Sequence, residues 1–278
     1  MFIGFRQPCT ELQSHVQSIM IVHEHLSPLS EKTLFRPFPP AAEQCMYFYP
    51  REKSWLKDQP NKTPLQQPFC ILVGPQVSSV ELGIVGEHIM IGFMFKPGGL
   101  HRLIGVPMTK LLGQALNGSL VWPAAIRQLE EQMAATDDCL AMVALAEDFL
   151  KKQYAKNTVS SLPIDAVLKT MSHAASPYSI DQLASMACLS TRQFDRKFYE
   201  RIGMSPKQFM RIARFSTAFR MKERCPDVDW LTVALHCGYY DFQHMLRDFK
   251  EFVGTTPTLF LASEALTNSE TTSLFSAR

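Results

Sequence analysis

The chain has no run approaching the roughly eighteen apolar residues that a membrane span needs. Its start, Met1-Phe2-Ile3-Gly4-Phe5-Arg6, lacks a basic segment followed by a sustained apolar stretch, so no secretory leader is expected and the expected compartment is the cytoplasm. The seven cysteines (Cys9, Cys45, Cys70, Cys139, Cys188, Cys225, Cys237) are odd in number and scattered, with no C-x-x-C pair, which points to reduced thiols. G-x-S-x-G and any compact His/carboxylate motif are absent, which argues against an enzyme. Lys96-Pro97-Gly98-Gly99 lacks the order of a phosphate-cradling loop and reads as a turn, so no nucleotide or other cofactor is inferred.

What is present fits a soluble globular protein: 278 residues, 46% hydrophobic and 19% charged. That length corresponds to about two domains, each large enough to bury a core without disulfides or metal. The net charge of +2 hides an asymmetry. Residues 1–162 carry fourteen Lys and Arg against fourteen Asp and Glu, whereas residues 190–222 carry nine against two. A basic stripe of this kind is the footprint of a phosphate backbone partner, or else a solvated helix face.

The first half is β-rich. Ser18–Val22, Cys45–Tyr49, Cys70–Val73 and His88–Phe95 are short apolar stretches bounded by Pro, Gly and Ser, which predicts a small sheet or barrel. Tyr47, Tyr49, Phe93 and Phe95 either line a pocket or fill the core. His23-Glu24-His25 would put two imidazoles on one side of a strand, with His15, His88 or His101 as further ligands, but no carboxylate spacing strengthens a metal site and none is assigned. Leu100–Ile104 reads as a helical turn. Helical periodicity then covers Ala124–Met133 and Asp138–Gln153, with Asp137 or Asp138 as cap. These helices either offer a dimer surface or pack on the sheet. The polar stretch from Lys151 to Pro163 is the expected linker, with the boundary near Ser160, and Thr267–Arg278 is an expected frayed tail.

A repeat organises the last hundred residues. Shifted by 51 positions, Phe194–Phe209 lies over Met245–Phe260 with six of sixteen identities: Arg196/Arg247, Phe198/Phe249, Glu200/Glu251, Gly203/Gly254, Pro206/Pro257 and Phe209/Phe260. Chance gives about one. Upstream the offset is 50, pairing Ile180 with Trp230, Leu183 with Val233, Ala184 with Ala234 and Ala187 with Cys237, so the slip falls in a turn. Each copy reads as helix-turn-helix. In the first, Ser179 caps a helix, Cys188-Leu189-Ser190 turns the chain, and a second helix buries Phe194, Phe198 and Ile202 while presenting Arg192, Gln193, Arg196 and Tyr199. In the second, Gly238 supplies the turn, and the next helix is expected to bury Phe242, Met245, Leu246, Phe249 and Val253. Gln243, Arg247 and Lys250 then share one face. Arg chelates guanine and Gln pairs with adenine in a major groove, so Arg196 and Arg247, at equivalent positions, lead as base-reading residues. A helix over Pro206–Lys222, about 25 Å long, would hold the two reading helices about one DNA turn apart.

Ala184, Ser190, Phe194, Phe198, Gly203, Ser205-Pro206, Phe209, Arg214, Ala218, Ala234, Cys237-Gly238-Tyr239, Phe249, Gly254, Thr256-Pro257 and Phe260 together resemble the DNA-binding domain of the AraC/XylS family. The resemblance covers about residues 165–263. Cys188 departs from it where Gly is frequent, and Leu261 where an Arg often follows. The resemblance implies a mixed fold: an N-terminal β-rich, barrel-like plus α sensor or dimerisation domain (residues 1–160), then an all-α domain of two helix-turn-helix units joined by a linker helix (161–265), then the tail (266–278). It further implies a transcription regulator that contacts double-stranded DNA and RNA polymerase, its N-terminal domain serving either to sense a small-molecule effector or to form a homodimer. Carried over, the DNA-contacting set is Arg192, Gln193 and Arg196 in the first unit, and Tyr240, Gln243, His244, Arg247 and Lys250 in the second. Asp241, Asp248 and Glu251 make that second unit less basic, as if the first anchors and the second adjusts. The rival readings are a repair or metal-dependent enzyme fused to such a domain, and a regulator acting by protein contact alone.

Overall fold

The computed structural model describes residues 2–25, 34–52, 54–57, 63–157, 162–171 and 178–261. Its first half contains β1 (Phe2–Arg6), β2 (Val16–His25), β3 (Leu34–Phe38), β4 (Gln44–Phe48), β5 (Trp55–Lys57), β6 (Leu65–Gln66), β7 (Cys70–Val73), β8 (Val80–Ile84) and β9 (Glu87–Phe95). Then come α1 (Gly99–Ile104), β10 (Ala115–Asn117), α2 (Gly118–Val121), α3 (Pro123–Ala134) and α4 (Cys139–Lys156). All strand pairs are antiparallel, in a six-stranded sheet of order β1-β2-β9-β4-β7-β10 and a four-stranded sheet of order β3-β8-β5-β6. The β-rich domain is therefore present, but its described strands form two open sheets and close no barrel.

The larger sheet is apolar on both faces, and the two-residue period of a strand decides which side chain goes where. Ile19, Ile21, Met46, Phe48, Cys70, Leu72, Ile91, Phe93 and Phe95 pack with Leu100, Ile126, Met133, Met142, Phe149 and Leu150 of the helices. Their alternates, Met20, Val22, Tyr47, Tyr49, Ile71 and Met90, face the smaller sheet across a cavity. The four aromatic residues thus divide: Tyr47 and Tyr49 line the cavity, Phe93 and Phe95 fill the core. Helices α3 and α4 lie on the sheet, and Asp138 caps α4 by accepting from Leu140 N at 2.8 Å. Helix α4 runs on to Lys156, through half of the expected linker, because its buried Phe149, Leu150 and Gln153 keep it anchored. The Ser160 boundary and the Thr267–Arg278 tail lie outside the described residues.

The second half comprises α5 (Pro163–Thr170), α6 (Ile180–Met186), α7 (Thr191–Ile202), α8 (Pro206–Arg224), α9 (Trp230–His236) and α10 (Phe242–Val253), with a final turn at 257–261. One core runs through all of them and takes in Ala42 from the first half. Helix α8 is its spine: the ring of Phe209 meets Phe198 of α7 at 5.6 Å, and Phe215 meets Phe249 and Phe252 of α10 at 4.7 and 5.4 Å.

The two halves are fastened at several points. Gln44 Nε2 donates to Arg201 O at 2.8 Å, Ser216 Oγ to Pro40 O at 3.2 Å, and Arg220 to Glu43 Oε1 at 3.0 Å. Ser79 N donates to Phe252 O at 3.2 Å. Gly203 closes α7 in the left-handed region (φ 94°), where a Cβ would fall 2.7 Å from the Met108 carbonyl oxygen of the first half. Both requirements select glycine there. Its counterpart Gly254 (φ 75°) has open space around it and is fixed by backbone conformation alone.

Candidate nucleic-acid interface

The duplication in sequence is a duplication in structure. Helices α6 and α9 are seven residues each at an offset of 50, and α7 and α10 are twelve each at an offset of 51. Each starts on a side-chain cap that satisfies a first-turn N–H, which is why these short helices form at all. Ser179 and Ser190 build reciprocal capping boxes with Gln182 and Gln193. Asp229 and Asp241 accept from Thr232 N at 3.0 Å and His244 N at 2.6 Å. The hydrogen bonds from Thr232 also hold the Asp229 carboxyl below its ordinary range.

The slip lies at one residue. Leu189 N and Tyr239 N make the same bond, to Ala184 O and Ala234 O, and the next residue in the first unit is already the cap Ser190. In the second unit Tyr240 is inserted before the cap Asp241, and it is 87% exposed. The preceding turns match too: Cys188 (φ 54°) occupies the left-handed position that Gly238 (φ 78°) occupies in the second copy.

Arg192, Arg196 and Tyr199 recur at i, i+4 and i+7 on the exposed face of α7, and Gln243, Arg247 and Lys250 do the same on α10. Superposing the copies pairs Arg192 with Gln243, Arg196 with Arg247 and Tyr199 with Lys250. The remaining two residues are engaged elsewhere. Gln193 Oε1 accepts from Ser190 N at 3.0 Å, leaving its amide N–H groups to donate. His244 is half-buried, with its ring edge-on to Tyr239 at 5.2 Å.

The basic stripe is smaller than its count. Of the nine cations in residues 190–222, Arg201 is buried against Asp165 at 2.6 Å, Arg220 reaches Glu43, and Lys222 bonds the carbonyls of Pro226 and Val228. Arg211 clamps Asp248 and Glu251, each at 2.6 Å. That clamp lowers the Glu251 carboxyl and raises the Arg211 guanidinium. Arg192, Arg196, Lys197 and Lys207 make no ion pair among the described residues.

The clamp also corrects the expected buried face of α10. Met245, Asp248, Phe249 and Phe252 are buried, whereas Phe242, Leu246 and Val253 are half-buried. The helix is turned so that the Asp248 carboxylate meets Arg211 and Phe252 meets Phe215. The acids read as weakening the second unit are thus a cap (Asp241) and two partners of α8 (Asp248, Glu251).

The histidines do not converge. His23 bonds Glu87 at 3.2 Å, His15 stacks on Tyr154 at 4.1 Å, and His101 lies buried 3.8 Å from Glu200. Among the described residues no group of three or more His, Cys, Asp or Glu is placed to hold a metal. No described helix is long and apolar enough to cross a membrane.

Two capped helix pairs, joined by a long helix and each presenting an exposed polar face, define a double helix-turn-helix domain. Residues 183–263 match the family model of a helix-turn-helix domain, and residues 5–117 match that of a domain of unknown function (DUF6597). An uncharacterized HTH-type transcriptional regulator of Haemophilus influenzae is 32% identical over 102 residues, 36% of this chain and 34% of that protein. HTH-type transcriptional regulator ArgR of Pseudomonas aeruginosa is 27% identical over 92 residues, 33% and 28% of the two chains. The chain thus spans about a third of the length of the curated relatives it matches. Apo ToxT from Vibrio cholerae is similar in structure at 13% identity, covering 92% of this chain and 99% of its own, with a TM-score of 0.47.

Proposed function

We propose that the protein is a cytoplasmic, sequence-specific DNA-binding transcription regulator whose helices α7 and α10 enter two adjacent major grooves, under the control of a small molecule held by the N-terminal domain. The observation that carries the reading is the recurrence of Arg196 and Arg247, both exposed, at the same position of two twelve-residue helices that share a side-chain cap, a buried phenylalanine (Phe198 and Phe249) and a left-handed glycine at the end. Arg192 and Gln243 differ between the copies and give each helix its own base preference. Lys197, Lys207, Tyr199 and Lys250 lie where phosphates flank a groove-bound helix. Control by a ligand is supported by the cavity between the two sheets, about 400 Å³, which reaches Phe38, Ala41 and Glu43 of the segment fastened to α8.

Selection from random duplexes, followed by titration of the winning site at several salt concentrations, tests this. The expected site spans about two major grooves, and affinity falls steeply with salt. Arg196→Ala and Arg247→Ala each cost about 1–3 kcal/mol and relax preference at one base pair. Equal affinity for all duplexes before and after these substitutions refutes base reading. Absence of salt-dependent binding supports a regulator acting by protein contact instead.

A further inference from the structure

The cavity between the two sheets offers a ligand hydrocarbon and little else. Met20, Val22 and Met90 of the large sheet face Leu56, Leu82 and Ile84 of the small one across it. Among the described residues its lining holds no lysine or arginine. Its two carboxylates are already engaged: Glu43 accepts from Arg220 of α8 at 3.0 Å, and Glu24 and the facing His88 each have a partner within the protein. The amide side chains follow the same pattern, Gln67 Nε2 donating to Leu65 O at 3.1 Å and Gln76 Nε2 to Gly74 O at 3.3 Å. Burial pushes the Cys45 thiol up to about 12 and raises the Tyr47 and Tyr49 phenols, so all three stay uncharged at neutral pH. Leu65 of β6 belongs to the lining yet is largely exposed, which places the mouth beside that edge strand.

A charged ligand is penalised whichever its sign. An anion gives up its hydration beside two carboxylates and meets no lysine or arginine in the lining. A cation gives up its hydration as well, and to reach a carboxylate it has to displace Arg220 or the partner of Glu24. An uncharged apolar molecule meets neither penalty: it takes its own hydrocarbon and that of both sheets out of water and leaves every existing bond in place. A cavity of roughly 150 Å³ holds benzene, so about 400 Å³ has room for a ring and a chain attached to it. We propose that this cavity takes an uncharged, hydrocarbon-rich molecule such as an alcohol, ketone or ester, held between the two sheets. The proposal rests on the reading of the N-terminal domain as the effector site and names the class of ligand it takes.

Calorimetric titration of the full chain near neutral pH with 4-phenylbutan-1-ol, 4-phenylbutylamine and 4-phenylbutyrate, matched in shape and different in charge, tests it. The alcohol is expected to bind more than tenfold tighter than either ion, with a heat that grows more exothermic as temperature rises, the mark of apolar surface leaving water. Leu82→Trp on the small sheet and Met90→Trp on the large one each fill the cavity and should each weaken the alcohol at least tenfold. Comparison of the three probes needs only the wild-type chain, so it decides even where a variant fails to fold. Amine or acid binding as tight as the alcohol overturns the proposal, as does alcohol affinity that survives both substitutions, or failure of all three probes to bind. Anisotropy of the selected duplex with and without the alcohol separates this from the regulatory reading. An alcohol that binds as expected but leaves DNA affinity unchanged removes the control function and leaves the ligand class. Control by the amine or acid alone does the reverse.

Discussion

At Cys188 a side chain sits where the backbone asks for none. With φ at 54° its Cβ crowds the following carbonyl, a cost that Gly238 avoids in the other copy. Cys188 is exposed, so nothing is lost in packing. Cys188→Gly is expected to stabilise the protein by about 1 kcal/mol, read as a raised denaturant midpoint with an unchanged slope. His15 gives a pH dependence of definite sign. Burial, reinforced by Arg102, lowers its pKa from 6.5 to about 4. His101 shifts the same way, through burial and then Arg201. The unfolded chain therefore binds more protons than the folded one between these values, so stability is full above about pH 6.5 and is lost progressively as pH falls toward 4. Thermal melts from pH 7 to 4 should show a steeper decline for the wild type than for His15→Phe, which keeps the stack on Tyr154 without a titrating ring. Parallel declines would clear His15 of that role.

At the scale of elements, the contrast between α7 and α10 lies in how each is held. The buried end of α7 has Arg201 on Asp165 of α5, whereas α10 has Asp248 under Arg211 of α8. Asp248 is 1% exposed, so Arg211→Met strands a buried charge and should destabilise by about 3 kcal/mol. Adding Asp248→Leu should recover most of that loss in a double-mutant cycle, and simple additivity would sink the account. The paired helices of this half, the cap Ser179 and the turns were legible because their signals are local: a hydroxyl at a helix start, a glycine at a turn, an apolar residue every third or fourth position; the caps Asp229 and Asp241 were not, since an acid before a helix reads equally as surface charge. Which way α10 faces was not, because it is settled by Arg211, whose partners stand 37 and 40 residues away. The strands divide similarly. The strands β2, β4, β7 and β9 announced themselves as apolar runs, whereas β3, β5 and β8 carry proline or charge, β6 is two residues long, and all four exist by pairing with each other. The sequence His23-Glu24-His25 drew attention to its imidazoles, yet alternation sends Glu24 to the cavity and the histidines away from it. The basic stripe was legible as a count, not as the bonds of Arg201, Arg211, Arg220 and Lys222 that consume part of it.

For the whole molecule, the run from Phe38 to Gln44 is a thin partition. Phe38, Ala41 and Glu43 line the cavity, while Pro40, Ala42, Glu43 and Gln44 meet Ser216, the second core, Arg220 and the end of α7. Gln44, 2% exposed, ties this run to the end of α7. Gln44→Leu should cost about 1–2 kcal/mol and speed amide exchange in the last turn of α7 while leaving α10 untouched. Uniform acceleration across both helices would show that the tie is not local. The partition has a consequence in thermodynamic linkage. Under the proposed function, whatever fills the cavity and whatever engages α7 meet the same seven residues from opposite sides, so any free energy a ligand transmitted to DNA affinity would return undiminished: duplex DNA would change the affinity for the ligand by the same factor, and a ligand titration with and without DNA would measure the coupling from either end.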